Sequence, residues 1–229
     1  MGVELPTACY LAAKRLYSAL IGRNQMLRFG TGGYPPAFFE SVYRKDRLKI
    51  FEWLAGLGLD AFEAQMTYGP RTKPETCIEM RRLSKEFDIK VSVHASYFIV
   101  FTSADAQKLR QSADTLKRTY ELADLIGADT IVLHPGPLYG QDEKEVKSRF
   151  IENLGSFFKN FNPGNIGLFL ETAGKCGQLG SPEDVIEIAR SIKGCYPCFD
   201  FGHIHARSRG GLQTPQAVED LPALLERKG

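Results

Sequence analysis

The chain reads Val91-Ser92-Val93-His94, Ile131-Val132-Leu133-His134, Leu168-Phe169-Leu170-Glu171 and Cys198-Phe199-Asp200-Phe201-Gly202-His203 at four successive places. Each segment is short and strand-like, and each ends on a residue type that binds metal ions. Helix-length stretches separate the segments along the chain. In a parallel barrel, the carboxyl ends of the strands meet on one face, where the connecting loops carry the chemistry. The pattern therefore predicts a metal centre at the ends of successive parallel strands.

Three consecutive strand ends supply His94, His134 and Glu171, which could surround one metal ion. Two imidazoles and one carboxylate leave a position open for water or substrate, as in catalytic zinc sites. Asp200 and His203 follow from the next strand and its exit, so Glu171 could bridge to a second ion about 3.5–4 Å away. A single histidine at a strand end is more often structural, but repeated placement on neighbouring strands favours a metal centre.

Two further residues are less specific candidates. Glu63, inside the second predicted strand, could point into the barrel as a hydrogen-bond partner of a ligand imidazole, or pair with a nearby Lys or Arg. His205, two residues beyond His203, could line the same pocket or hydrogen-bond within its loop. The sequence leaves both alternatives open for each residue.

Strands and helices alternate from Leu27 onward with little chain left over. Strands are predicted at 27–33, 60–66, 90–94, 129–134, 166–171 and 196–200. Helices are predicted at 46–58 and 74–87, over a stretch that ends at Gly127, over 146–161, after Ser181 as N-cap, and from Thr214-Pro215 onward, divided by Pro222. This is an α/β chain of about six βα units.

Six βα units fit a TIM (β/α)8-type barrel of the xylose isomerase-like kind with only about six of its eight units, or an open doubly wound sheet. The glycine-rich turn Gly30-Thr31-Gly32-Gly33 lacks the dinucleotide-binding pattern, so the barrel is preferred. Residues 1–26 fall outside the pattern. We expect them to be an N-terminal extension, either a helix that plugs the barrel or a non-native segment, and residues 27–229 to be an incomplete barrel domain.

Composition excludes several classes of protein. The chain of 229 residues has no run of about 18 apolar residues, so we expect no membrane-spanning segment. A net charge of +2 gives no electrostatic argument for a nucleic-acid partner, which would need a local basic patch. Five cysteines without regular spacing favour a reduced, cytoplasmic protein, and Cys195 and Cys198 are expected to be small apolar filler.

The ordered series of motifs resembles a known family. Its members are the zinc-dependent apurinic/apyrimidinic endonucleases of the endonuclease IV type, especially the archaeal-type ones. The motifs that carry the resemblance are Val93-His94-Ala95-Ser96-Tyr97, His134-Pro135-Gly136, Glu171-Thr172-Ala173-Gly174 and Asp200-Phe201-Gly202-His203. The resemblance runs from about Leu27 to the last helix, and the series is much more specific than any one motif.

The resemblance implies a ligand set for up to three zinc ions. His94 and His134 would hold the first zinc with Glu171, which would also be the catalytic residue of the site. Glu171 would bridge to a second zinc bound by Asp200, and His203 would help to hold a third.

The resemblance also implies the substrate, which is double-stranded DNA with abasic sites. Hydroxide activated by the metal centre would attack the phosphate 5′ to the abasic deoxyribose, as in base excision repair. Tyr97 matches the aromatic residue that the family pushes into the DNA next to the extruded site. Arg71, in the loop after the second strand, is a looser candidate for insertion or phosphate contact. Recognition through contacts to the DNA backbone and through the deformability of the DNA suits an enzyme that must work in any DNA sequence.

The chain departs from the family after its last histidine. The family takes its remaining ligands from later strands, whereas no histidine follows His205 before Gly229. We therefore expect the second and third zinc ions to lack most of their ligands. The alternatives are a truncated product, a barrel completed by another chain, or a degenerate relative, and we favour truncation.

Two other functions remain open. The first is a sugar isomerase or epimerase of the same barrel superfamily, with Mn²⁺ or Mg²⁺ at the strand ends. Three histidines among five candidate ligands favour zinc over these oxygen-seeking ions. The second is a non-catalytic remnant that binds metal or DNA, which the missing units would explain.

Overall fold

The fold is built on one parallel sheet. The structure, a computed structural model, describes residues 27–221, so the predicted N-terminal extension at 1–26 and the helix division at Pro222 lie outside the described residues. Six strands form the sheet in the order β1-β2-β3-β4-β6-β8, and every neighbouring pair is parallel. Their bounds are β1 Gly30–Gly32, β2 Ala61–Gln65, β3 Lys90–His94, β4 Thr130–Leu133, β6 Gly167–Glu171 and β8 Cys195–Cys198. The predicted βα alternation is confirmed.

Helices connect the strands, and those predicted from periodicity and caps are present. They are α1 Pro36–Glu40, α2 Ile50–Gly56, α3 Pro74–Glu86, α4 Ala106–Ile126, α5 Glu143–Asn160, α6 Pro182–Ser191, α7 Phe201–Arg207 and α8 Pro215–Glu219. Helix α4 stops before Gly127, and Ser181 caps α6 with a full capping box to Asp184, as predicted. The helix predicted at 46–58 is instead a 3₁₀ turn, Arg47–Lys49, followed by α2. None of the described helices is long and apolar enough to cross a membrane.

Some elements were not predicted. The strand predicted at 196–200 ends at Cys198, and α7 begins three residues later. The side chain of Asp200 caps α7 by accepting a hydrogen bond of 2.7 Å from the backbone N–H of His203. Placing Asp200 in the strand was therefore wrong, whereas His203 lies in the helix that follows the strand. The short helix α1 and an antiparallel pair, β5 Gly136–Pro137 with β7 Gln178–Leu179, were also missed, because two- to five-residue elements carry almost no periodicity.

The two faces of the sheet differ in character. Successive side chains of a strand point to opposite faces. One face packs against the helices in a continuous core that includes Val91, Val93, Leu168 and Leu170. The other face, here called the inner face, carries the polar side chains that alternate with them, such as His94 at the end of β3. The pleat therefore places His94, His134 and Glu171 on the face opposite this core.

The glycine at the start of β1 is required by the close approach of β2. A Cβ atom on Gly30 would lie 1.7 Å from the carbonyl oxygen of Ala61, which no side chain can tolerate. The glycine-rich turn predicted at Gly30-Thr31-Gly32-Gly33 is instead strand through Gly32, and its first glycine serves strand packing in the parallel sheet.

A buried ion pair joins α5 to α6. Asp184 is 2% exposed, and its carboxylate accepts hydrogen bonds from the backbone N–H groups of Gly180 (3.3 Å) and Ser181 (3.0 Å). Lys147 of α5 lies 3.3 Å from the same carboxylate and 2.6 Å from Glu187. Burial opposes ionisation of Asp184, but the hydrogen bonds from Ser181 and Gly180 and the charge of Lys147 outweigh it and lower the pKa of this carboxyl.

We expect Asp184→Asn to lower the free energy of unfolding by about 1–3 kcal/mol at neutral pH, because buried donors lose a charged acceptor. A carboxyl whose pKa is lowered by folding stabilises the protein above its unfolded-state pKa of about 4, and this contribution is lost as the pH falls through the folded-state value. Urea denaturation of both proteins at pH 7 and pH 3 measures the difference. Glu187→Gln, at the exposed partner of Lys147, should cost less than about 1 kcal/mol. An equal deficit for Asp184→Asn at both pH values would contradict this account.

Candidate metal centre

Three side chains from neighbouring strand ends meet on the inner face. One carboxylate oxygen of Glu171, Oε2, lies 3.1 Å from Nε2 of His94 and 3.2 Å from Nε2 of His134. The potential ligand atoms of these three residues all lie within 4.8 Å of one another. Their side chains are at most 14% exposed, so this group is nearly closed to solvent.

A second group shares Glu171 with the first. Glu171, Asp200 and His203 also bring potential ligand atoms within 4.8 Å of one another. The Nδ1 atom of His203 lies 3.8 Å from Oε1 of Glu171 and 3.7 Å from Oδ2 of Asp200. The side chains of Asp200 and His203 are 36% and 37% exposed, so the second group is open where the first is closed. Five residues proposed from the sequence thus form two adjoining groups with one carboxylate in common.

Hydrogen bonds to the imidazoles fit a cation between His94 and Glu171. The Nδ1 atom of His94 lies 2.9 Å from the carbonyl oxygen of Ala95, which can only accept a hydrogen bond, so Nδ1 carries the proton. In a neutral ring, Nε2 is then an acceptor that faces another acceptor, the carboxylate of Glu171. A proton or a metal ion between these two atoms removes the repulsion. An N–H donated to a backbone carbonyl is the usual way of orienting a metal-binding histidine.

The other two imidazoles are also consistent with metal binding. His203 places Nδ1 2.8 Å from the carbonyl oxygen of Thr172, which leaves Nε2 with a free lone pair. His134 has a buried Nδ1 atom with no hydrogen-bond partner among the described residues. A buried imidazole without a full set of partners is costly as a purely structural residue. The donor set, three nitrogens and two carboxylates, matches the ligands of zinc.

The pKa values of His94, His134 and Glu171 depend on burial and on one another. Burial acts to lower the pKa of His94, but the hydrogen bond with Glu171 and the contact with Ala95 outweigh it, so the pKa is raised. Burial lowers the pKa of His134. For Glu171, burial would raise the pKa, yet the hydrogen bond with His94 and the neighbouring imidazoles bring it below its usual value. Glu171 is therefore an anion that attracts cations to the centre.

The ring of Tyr97 covers the centre from the loop after β3. It stacks on His134 at 5.6 Å between ring centroids and 22° between ring planes, and it meets His94 edge-on at 5.7 Å. The Tyr97 side chain is nevertheless 57% exposed, and Phe98 beside it is 65% exposed. Arg71 lies exposed in the loop after β2, and no hydrogen bond or ring contact of residues 27–221 links it to the centre.

The two secondary candidates have different positions. Glu63 lies on the inner face, but it accepts a hydrogen bond of 2.8 Å from Gln65 and does not orient the imidazole of His94, whose Nδ1 faces Ala95. Burial raises the pKa of Glu63, with His94 and Glu171 as charged neighbours. His205 is exposed and belongs to neither ligand group. Residues two apart on a helix point in opposite directions, so His205 turns away where His203 turns in.

Sequence reasoning missed the residues that hold α7 against the loop after β6. The guanidinium of Arg207 donates hydrogen bonds to the carbonyl oxygens of Lys175 (2.9 Å) and Gln178 (3.0 Å) in that loop. Thr172 accepts a hydrogen bond of 2.9 Å from the backbone N–H of Asp200 through its hydroxyl. Arg207 follows His203 by four residues in the sequence, but its role depends on the fold of the loop.

The fold and the site together define the class of protein. The model of the xylose isomerase-like TIM barrel family matches residues 51–227, and the chain belongs to this family. The expected fold class is thereby confirmed. The parallel six-stranded sheet described above is the corresponding part of such a barrel.

Several proteins are similar to this chain in sequence. The chain is 27% identical over 192 residues to an uncharacterized protein of Methanocaldococcus jannaschii, covering 83% of this chain and 67% of that protein. It is 29% identical over 180 residues to the probable endonuclease 4 of Symbiobacterium thermophilum, covering 73% and 63%. The Mycoplasma pneumoniae probable endonuclease 4 is 30% identical over 155 residues, covering 66% and 52%. The chain thus spans about half to two thirds of the length of these relatives.

Solved structures of both kinds of enzyme considered above, the endonuclease and the epimerase, share the fold of this chain. Endonuclease IV from Thermus thermophilus superposes with a TM-score of 0.62 at 22% identity, covering 88% of this chain and 71% of that one. An Escherichia coli 3-keto-D-glucoside 4-epimerase superposes with a TM-score of 0.63 at 14% identity, covering 87% and 77%. These similarities establish the barrel fold. The choice between endonuclease and epimerase activity rests on the chemistry of the site.

We expect Glu171→Gln to lower zinc affinity by at least about tenfold, because both ligand groups lose their shared anion. Zinc retained per chain after dialysis against a defined free-zinc buffer measures the effect. The control is His205→Ala, an exposed imidazole on the same helix as His203, which should leave the zinc content unchanged. Equal zinc retention by wild type and Glu171→Gln would show that the metal binds elsewhere.

Proposed function

We propose that this chain carries the metal centre of a zinc-dependent DNA endonuclease that hydrolyses the phosphodiester 5′ to abasic sites, a step of base excision repair. The observation that carries the proposal is the shared carboxylate of Glu171, which joins a closed and an open ligand group. Relatives named as probable endonuclease 4 support the same assignment. Zinc bound there would polarise the phosphodiester and lower the pKa of a water molecule.

Each residue of the two ligand groups has its own role in binding zinc. In the proposal, His94, His134 and Glu171 hold the first zinc in the closed group, where solvent competes little. Asp200 and His203 complete the open group, which faces the substrate. The negative charge of Glu171 keeps cations in both groups, and the bound cations in turn make the site attractive to a phosphate anion.

The aromatic surface beside the centre supports a large substrate. Tyr97 and Phe98 expose more than half of their side chains at the rim of the site. Pockets for small molecules enclose most of their ligand, so aromatic side chains left in solvent are poorly explained by a sugar alone. Exposed rings are suited to stacking on bases or filling the gap of a missing base. Arg71 would contact a phosphate or enter the duplex from the loop after β2.

A sugar isomerase or epimerase is the second candidate. It is favoured by the solved epimerases of the same fold, which include a D-psicose 3-epimerase with a TM-score of 0.59. The inner-face carboxylate of Glu63 also suits hydroxyl groups better than phosphates. This candidate predicts turnover of ketoses with Mn²⁺ or Mg²⁺ and no incision of DNA. Tight abasic-DNA binding without turnover of either kind would favour a non-catalytic protein.

We expect the zinc-loaded protein with its barrel completed to cut a fluorescently labelled duplex with a single abasic site and to leave a matched undamaged duplex intact. Glu171→Gln should lower the incision rate roughly 100-fold or more, the scale of losing one electrostatic contact to the transition state. Strong chelation should abolish incision, and added zinc should restore it. His205→Ala serves as the control with wild-type activity. Incision that persists in Glu171→Gln would rule out the proposed centre.

Tyr97→Ala should weaken binding to the abasic duplex about 5- to 100-fold, since a stacked ring contributes about 1–3 kcal/mol to nucleic-acid binding. Tyr97→Phe keeps the ring and should bind like the wild type. Fluorescence anisotropy with the two duplexes gives both dissociation constants. If Tyr97→Ala binds as tightly as Tyr97→Phe, the ring has no part in recognition.

A further inference from the structure

A polar pair on β2 lies beside the metal centre without belonging to it. Gln65 is the register partner of His94, and Glu63 is the register partner of Ser92, so these side chains share the inner face. Neither Glu63 nor Gln65 is part of a ligand group. Gln65 is exposed at the edge of the sheet where the candidate ligands meet, whereas Glu63 is half-buried below it.

Glu63 fixes the orientation of the Gln65 amide. The Nε2 atom of Gln65 donates a hydrogen bond of 2.8 Å to Oε1 of Glu63. A carboxylate accepts hydrogen bonds, so this contact directs the amide nitrogen toward Glu63 and the amide oxygen away from it. Among the described residues, no other side-chain hydrogen bond holds Gln65. One acceptor and one N–H of the amide are therefore oriented and free beside His94.

On the side that faces β1, the described part of the chain places the backbone of two glycines against the pair. Gly32 is the register partner of Glu63, and a Cβ atom there would lie 3.7 Å from Nε2 of Gln65. Gly33 has a φ of +74° and donates its backbone N–H to the carbonyl oxygen of Glu63 at 2.9 Å. A Cβ atom on Gly33 would lie 2.9 Å from Cγ of Gln65. Gly33 therefore packs directly against the Gln65 stem and admits no side chain, whereas the position of Gly32 leaves room for a methyl-sized group in van der Waals contact with the amide.

We propose that Gln65, oriented by Glu63, binds the anomeric hydroxyl of an abasic deoxyribose. This inference rests on the proposed function. Loss of the base leaves a hydroxyl at C1′, which is the group that an intact nucleotide lacks. An amide can both accept from and donate to such a hydroxyl. Because Gln65 adjoins the ligand His94, a phosphate at the metal centre would bring the sugar of the same nucleotide within its reach.

Gln65 would distinguish an abasic site from an intact nucleotide, and Glu63 would hold the Gln65 amide in the required orientation. A site that hydrogen-bonds a substrate hydroxyl discriminates against an analogue that lacks it, because its own polar groups are left unpaired. A hydrophobic side chain at position 65 would remove that discrimination. It would leave the metal ligands and Tyr97 in place.

The test compares two lesions that differ by one hydroxyl. One duplex contains a natural abasic site, and the other contains a tetrahydrofuran residue, which has no hydroxyl at C1′. Both carry a phosphorothioate at the scissile position to slow hydrolysis, and anisotropy gives their dissociation constants. The wild type should prefer the natural site by about three- to tenfold, the value of one hydrogen bond. Gln65→Leu and Gln65→Asn should lose this preference by binding the natural site more weakly, with tetrahydrofuran binding unchanged.

Gln111→Leu is the matched control, since it makes the same chemical change at an exposed position of α4. It should keep the preference of the wild type. Equal affinity of the wild type for the two lesions, or a preference retained in Gln65→Leu, would overturn the role of Gln65 and leave the proposed function standing. Failure to bind either lesion more tightly than an undamaged duplex would instead refute the proposed function, and the inference with it.

Discussion

The carboxylate of Glu171 is the group on which the rest of the site depends. It is 7% exposed and lies within about 3.2 Å of two imidazoles, so it is an anion removed from water. A buried anion is stable only when cationic or hydrogen-bonding groups compensate it. His94 and His134 do so on one side and His203 on the other. Any ion that binds replaces protons of this network, so metal affinity and the charge state of the imidazoles are linked.

The scaffold keeps these groups in place by two different devices. His94 and Glu171 are the last residues of parallel strands, and their positions follow from the register of the sheet. Asp200 and His203 instead belong to the first turn of α7, which a short capping contact starts. Arg207 at the other end of α7 binds the loop that follows Glu171. The closed group is therefore held by the sheet and the open group by a helix and a loop.

The difference between the two groups bears on function. A closed group with three ligands can retain an ion, whereas an open group can exchange water for substrate. The exposed rings of Tyr97 and Phe98 add an aromatic surface next to the imidazoles of the closed group. Glu63 and Gln65, on the neighbouring strand β2, add hydrogen-bonding capacity for hydroxyls beside His94. A substrate that combines a phosphate with a modified sugar would use both parts of this surface.

How much could be predicted depended on how local each feature is. The strands that lead to His94, His134 and Glu171 were predictable because short stretches of sequence are enough to identify apolar strands and helix caps. The split of the 46–58 helix and the start of α7 were not, because a single capping side chain decides them. The orientation of the site residues was less accessible still. His203 and His205 are equivalent in the sequence, and only the helical turn points one toward Glu171 and the other away from it.

The alternation of strands and helices, the residue types at the strand ends and the family to which their order belongs all follow from the amino-acid sequence. Periodicity and ligand type are properties of neighbouring residues, so one chain suffices to read them. Three features emerge only from the folded chain. Glu171 serves two ligand groups, Arg207 and Thr172 hold α7 against the loop after β6, and Glu63 holds Gln65 beside His94. Each of these facts is a contact between residues on different elements, and such contacts exist only once the sheet has set their register.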